Sequence, residues 1–349
     1  MTKRKKKIYF ILILIAILAI GGVLFWKLGN RNVEIDNSGN ENKQDENIDE
    51  VSPISGEKCE NYNRRPIAIM LAEDPITRPL SGIGAADMVI EMPVITGSIT
   101  RMMAVYQCET PEEIGSIRSA RHDFIPLALG LDAIYAHWGG SHFALDKLDA
   151  GIINNLDAMI NPYDSFFRKS GISEPHNGFT SMDRLLNAAQ KLGYRLENKF
   201  SGYLHLNDSQ IAAQNSKPKG RLIIGYGNHY KVYYEYDPEE NIYRRWRDNQ
   251  RETDKDSGNQ VKASVVVVMK AESRMIEPPD YNEVNIEGEG EAIVYQNGEE
   301  IRGFWKKEGS YSKSKLYFLD KNGEEIKFVP GKIWIEISEQ GQVNKWEQY

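Results

Sequence analysis

Residues 115–141 read GSIRSARHDFIPLALGLDAIYAHWGGS. The stretch packs three kinds of signal into one run. A turn carries Arg118 and Arg121 with only Ser119 and Ala120 between them. HDFIPLALGL then has apolar residues at helical spacing, and DAIYAHWGG reads as a buried strand that stops at a glycine turn. A turn, a helix and a buried strand in that order predict an α/β layer structure.

The flanking sequence extends the pattern. RPIAIML (65–71) reads as a short buried strand, closed by the turn-rich AEDPITRPLSG. ADMVIEMPV and TRMMAVYQC read as two further extended segments. SHFALDKLDAG offers Ser141 as a helix N-cap, and MDRLLNAAQKLG is an amphipathic helix that stops at Gly193. An α/β (α+β) domain is therefore expected over 58–200. After a connector at 201–217 the pattern changes to alternation, as in YKVYYEYD, NIYRRWRD and KASVVVVMK, with hairpin signals at Asn297-Gly298 and Asn322-Gly323. Residues 218–349 are expected to form a mostly β second domain.

The N-terminus differs from the rest. Five cations between Lys3 and Lys7 precede an unbroken apolar run from Ile8 to Trp26. A run of that length predicts a transmembrane helix, within a cytoplasmic start and anchor at 1–29. The rival reading, a cleaved signal peptide, lacks a small-residue cleavage site after the run. Residues 30–57 are polar and acidic, as in a solvated linker. The expectation is a single-pass protein of the cell membrane, with a cytoplasmic N-terminus and an extracytoplasmic body.

The chain carries a net charge of −7, which becomes about −12 for the part beyond those cations. That balance excludes a nucleic-acid footprint. Any bound anion must be held by a local group of cations. The candidates are Arg101 at the start of a strand, Arg118 and Arg121 in the turn, His137 at a strand end, Arg168 in DSFFRKS, and His176 and Asn177 in EPHNGFTS. Such residues gather where ligands bind in open α/β sheets, and arginine's planar fork matches phosphate or carboxylate oxygens. The alternative for each arginine is an ion pair with one of the chain's many carboxylates. Asp87, before its strand, is a candidate to hold Mg²⁺ together with a phosphorylated ligand, or else to orient an arginine. Cys59 and Cys108 are either a disulfide, as suits an oxidising compartment, or two free buried thiols. No Walker-type phosphate loop, nucleophile elbow or zinc signature is present.

RPIAIML, RPLSGIGAADMVIEMPVITGSITRMMAVYQ, IGSIRSARHDFIPLALGLDAIYAHWGGS, FFRKS and EPHNGFTS resemble the YerB-like family of bacterial cell-envelope lipoproteins of unknown function. WRDNQRETDKDSGNQVKASVVVVM and VPGKIWIEI extend the resemblance into the second half. Members with a lipobox cysteine carry a lipid, whereas here no cysteine follows the apolar run. The order of an Asp-bearing strand, an arginine turn, an Ala-Tyr-Ala strand and a Gly-Gly turn is also similar to LytR–CpsA–Psr phosphotransferases. That similarity would place Asp87 beside the metal and Arg118 or Arg121 on the phosphates of a polyprenyl pyrophosphate. The Arg-Asp-Thr run of those enzymes is replaced here by Arg118-Ser119-Ala120-Arg121. Two functions are expected from these residues: an envelope protein that binds a phosphorylated lipid, glycan or partner protein, and a phosphotransferase on lipid-linked glycans.

Overall fold

In the strand Val265–Ala271, six of the seven residues of VVVVMKA are buried. A strand that is apolar on both faces needs cover on both sides. The computed structural model supplies it, and describes residues 50–212, 217–309 and 311–349. The apolar run at 8–26, and with it the expected spanning helix, lies outside these residues.

The main sheet has ten strands. In spatial order they are Tyr317–Asp320, Glu299–Lys307, Gly288–Gln296, Val265–Ala271, Ile333–Glu339, Met88–Pro93, Thr100–Tyr106, Ile67–Leu71, Ile134–His137 and Asn155–Asp157. One face of this sheet packs on the helices Phe124–Gly130 and His142–Asp149 and on loops, forming a core around Met70, Met103, Phe124 and Tyr135. The other face packs on a second sheet and on the helix Met182–Lys191, around Val89, Ala104, Tyr234 and Tyr243.

The chain is thus mostly β with few helices, rather than a sheet layered with helices on both sides. The second sheet, built on Gly220–Ile224, Val232–Asp237 and Ile242–Arg247, takes the place of a helical layer. The halves expected at 58–200 and 218–349 also share the main sheet. Met88–Pro93 from the first pairs in parallel with Ile333–Glu339 from the second, Ile90 opposite Ile335 and Glu91 opposite Glu336. The connector at 201–217 is packed in its first part: Tyr203 is buried, and Leu206 donates its N–H to Phe328 O at 2.8 Å. The linker expected to reach 57 ends sooner, since Ile54 is fully buried and Ser52 Oγ donates to Gln107 Oε1 at 2.7 Å.

Local chemistry accounts for the element ends. Ser141 and Ser181 cap their helices by accepting from Ala144 N at 3.2 Å and Arg184 N at 3.3 Å. Asn297 and Gly298 both take positive φ, 54° and 70°, in the turn between Gly288–Gln296 and Glu299–Lys307. Cys59 and Cys108 are bridged, with Cα atoms 5.7 Å apart across 49 residues.

Charge is buried between the two sheets. Tyr243, Arg245 and Arg247 alternate inward along their strand, leaving Arg244 and Trp246 less buried. Arg247 Nε lies 2.7 Å from Glu73 Oε2, and its fork also reaches Glu91 and Glu252. Arg245 pairs with Glu91, Glu252 and Glu336. Thr100 Oγ1 donates to Glu91 Oε1, and the Tyr234 hydroxyl donates to Glu336. Burial pushes Glu73 up to about 8 and Glu336 up to about 7, so part of the excess negative charge is neutralised by protons near neutral pH. Glu91 is held below the ordinary range because the attraction of Arg247 and Arg245, with their hydrogen bonds, outweighs its burial.

Truncation at this cluster should be severe. Arg247→Ala is expected to remove about 3–5 kcal/mol of stability by leaving buried carboxylates uncompensated, read from denaturant melts. Glu73 has a raised folded pKa, so its contribution is complete below about 4.5 and is lost as pH rises towards about 8. Glu73→Gln should therefore flatten the fall of melting temperature between pH 5 and 8 and raise it at pH 8. Replacing both cysteines by serine should cost about 2–4 kcal/mol through the freed unfolded chain, and a reductant should lower the wild-type melting temperature while leaving the double variant unchanged.

Candidate functional site

Three of the main-sheet strands, Ile67–Leu71, Ile134–His137 and Asn155–Asp157, run parallel. Their carboxyl ends form one end of the sheet, the usual place for a ligand in such arrangements. The arginine turn is fastened there by backbone bonds. Arg118 N donates to Met70 O at 2.9 Å, Trp138 N to Arg118 O at 3.1 Å, and Ala120 N to Gly139 O at 2.9 Å. Arg101 arrives from the antiparallel neighbour, where Met102 faces Leu71.

These bonds bring Arg101, Arg118 and Arg121 together. Arg101 is 4 % exposed, yet it has no carboxylate partner among the described residues. One of its amino groups donates to Ser119 O at 3.2 Å, while its Nε has no partner. Burial, followed by the charges of Arg121 and Arg118, pushes its guanidinium down to about 9, leaving it charged at neutral pH. Burial also lowers the pKa of Arg121, which lies over the Tyr281 ring at 5.4 Å. Arg118 Nε is 3.7 Å from Asp74 Oδ2, too long for a hydrogen bond. The Nε atoms of Arg118 and Arg121 are likewise buried without a partner.

Asp74 is the one carboxylate paired with this group among the described residues. His176 Nδ1 approaches it at 3.9 Å, and the Tyr230 hydroxyl lies 3.5 Å from its other oxygen. Burial lowers the His176 pKa more than Asp74 raises it. Asp123 also acts on Arg121, but burial pushes its carboxyl up to about 8, so it is largely uncharged at neutral pH.

The remaining expected residues sit around this group rather than in it. Arg168 donates to Asn177 Oδ1 at 2.6 Å, pairs with Glu174 at 3.3 Å, and lies 4.5 Å over the Trp138 ring. His137 is buried, with Nδ1 donating to Gly139 O at 2.9 Å and Nε2 lying 3.2 Å from the Asn155 side chain. Asp87 lies at the other end of its strand. Arg101 faces Met92, whereas Asp87 N donates to Val105 O. Its carboxylate accepts from Gln107 N, Cys108 N and the Ser55 hydroxyl, so it holds the chain near the disulfide. Among the described residues no group of three or more His, Cys, Asp or Glu is arranged to hold a metal ion. The helical part of HDFIPLALGL, Phe124 to Gly130, is fully buried core. Cavities of about 710 and 790 Å³ open elsewhere and are not lined by these arginines.

Sequence reasoning missed Tyr281 and Tyr230, which come from the second half. It also missed Arg245 and Arg247, for which the carboxylates inside the apolar runs MVIEMP and IWIEIS are the visible signal.

Comparison with known proteins agrees with the residue pattern. Residues 54–195 match the N-terminal domain, and residues 222–335 the C-terminal domain, of a family described as "Protein of unknown function (DUF3048)". A relative from Bacillus subtilis (strain 168), named "Putative lipoprotein YerB", is 32% identical over 289 residues, covering 82% of this chain and 85% of its own length. The crystal structure of YerB from Bacillus subtilis superposes with a TM-score of 0.76 at 29% identity, covering 85% of this chain and 99% of that one. The single-pass expectation is corrected here. The relative's name places it among lipid-held proteins, and no helix among the described residues is long and apolar enough to cross a membrane. The chain belongs to the YerB-like DUF3048 family.

Proposed function

We propose that this protein works outside the cytoplasm as a binding protein for an anionic, phosphate-class ligand, held by Arg101, Arg118 and Arg121. One observation carries the reading: Arg101 is buried between two other guanidiniums with no carboxylate of its own. A buried unpaired charge is costly, and a group of like charges more so. An anion with two or more charges removes both penalties at once, and guanidinium forks suit its oxygens. The Cys59–Cys108 bridge supports an oxidising compartment. A phosphotransferase has less support, since Asp87 lies at the opposite end of its strand from the arginines.

Thermal melting with inorganic pyrophosphate as the probe tests this reading. Wild-type protein should be stabilised, by about 2.7 kcal/mol once the probe reaches a hundred times its dissociation constant. Arg118→Ala and Arg121→Ala should each weaken binding about tenfold or more, on the basis of 1.5–3 kcal/mol per charge-assisted hydrogen bond. Arg101→Met should lose the response without lowering the melting temperature of the free protein, because no ion pair is broken. A marked drop in melting temperature in these variants, with no pyrophosphate response in the wild type, would make the arginines scaffold and remove the proposal.

A further inference from the structure

The arginine end of the sheet also carries exposed apolar side chains. Met159 and Ile160, just beyond the strand Asn155–Asp157, are 69 % and 78 % exposed, and Tyr163 is 51 % exposed. They stand close to the arginine turn. A Cβ placed on Gly139 would meet Met159 Cγ at 3.3 Å, and Gly139 O is the acceptor for Ala120 N, between Arg118 and Arg121. Strands 4.8 Å apart put the two groups about 10 Å from each other.

The loop holding these side chains is fixed. Asp157 Oδ1 accepts from both Gly139 N and Met159 N at 2.9 Å, which ties loop and turn together. Asn161 Oδ1 accepts from Phe166 N at 2.8 Å, and the amide of Asn161 returns a bond to Phe166 O. Asn161, Tyr163 and Asp164 take φ of 48°, 54° and 54°, a left-handed conformation that non-glycine residues hold only when their surroundings enforce it. Two large apolar side chains are therefore held out in water by a constrained backbone.

We propose that this end of the sheet docks on an anionic lipid surface, with Met159 and Ile160 entering the interface while Arg118 and Arg121 take lipid phosphates. The proposal rests on the phosphate-class reading of the arginines and names the source of the phosphate. Charge complementarity selects this occupant. Three guanidiniums are answered by one paired carboxylate, Asp74, while the neighbouring Asp157 is taken up by Gly139 N and Met159 N, so the arginine turn is locally positive in an otherwise acidic chain. Apolar side chains beside cations, with a tyrosine at the margin, are what an interfacial surface presents to lipid.

The test uses the full chain with an environment-sensitive fluorophore on Ile160→Cys, and on Tyr163→Cys as a second position, each first checked for wild-type melting. A local readout is needed so that the N-terminal segment cannot produce the signal. Adding phosphatidylglycerol vesicles should blue-shift and brighten both probes, and phosphatidylcholine vesicles should not. Arg118→Ala or Arg121→Ala in the labelled protein should shift the vesicle titration about fivefold each, the usual worth of one cation at an anionic surface. Added salt should shift it in the same direction. An unchanged probe with anionic vesicles, while pyrophosphate still protects the wild type from melting, overturns the lipid surface and leaves the anion site standing. Failure of both removes both. An equal response to the two lipids, or a response to protein concentration alone, also overturns the proposal, the last by pointing to a second copy of the chain as the cover.

Discussion

Arg245 and Arg247, buried against Glu73, Glu91, Glu252 and Glu336, are the contact on which the architecture turns. Glu91 and Glu336 face each other on the adjacent parallel strands that join the two halves of the main sheet. Two like charges at that spacing would push the strands apart. The guanidinium of Arg245, from the second sheet, reaches both. Removing the second sheet would therefore expose a pair of repelling carboxylates at the seam of the first. The two sheets are mutually dependent, which explains why sequence segments that look like two domains fold around shared cores.

The same cluster sets the position of the candidate site. Glu73 belongs to the cluster, and the next residue, Asp74, faces Arg118 and His176. Thr100 donates to Glu91, and the next residue, Arg101, enters the arginine group. Side chains alternate along extended chain, so neighbours in sequence serve opposite faces. The buried ion pairs hold the backbone on one side while the open guanidiniums are presented on the other. This is a means of keeping repelling cations in place, since the arginines gain little from one another.

Much of the local structure was legible in the residues. Ser141 and Ser181 mark helix starts, Asn297-Gly298 marks a hairpin, and the Ala-Tyr-Ala strand stops at its glycines. The cysteines could pair in sequence terms, and they do. What periodicity could not reveal was partnership. Nothing in VIEM or IWIEI says that those strands lie side by side, because pairing across distant segments leaves no local trace. NIYRRWRD is legible as a strand. That Arg245 and Arg247 face inward with Tyr243, while Arg244 and Trp246 take the other face, is not, because it depends on Glu91 and Glu336 waiting on the facing sheet. The arginines at 101, 118 and 121 were visible as a candidate group, whereas their shortage of counter-charge, with Asp74 alone paired to them among the described residues, was not, since that depends on where the carboxylates end up.

The two arginine groups differ in balance rather than in residue type. Between the sheets, two guanidiniums meet four carboxyl groups, and burial keeps protons on Glu73 and Glu336 until the sum approaches neutrality. At the sheet end, three guanidiniums meet Asp74, while Asp123 is largely uncharged. A guanidinium cannot shed its charge as a carboxyl can take up a proton, because its ordinary pKa lies too far above neutrality. An excess of buried acid can be corrected by protonation from within, but an excess of buried arginine needs an anion from outside. That asymmetry separates the cluster between the sheets from the arginine group, and it is the ground on which Arg101 is proposed to take an anion.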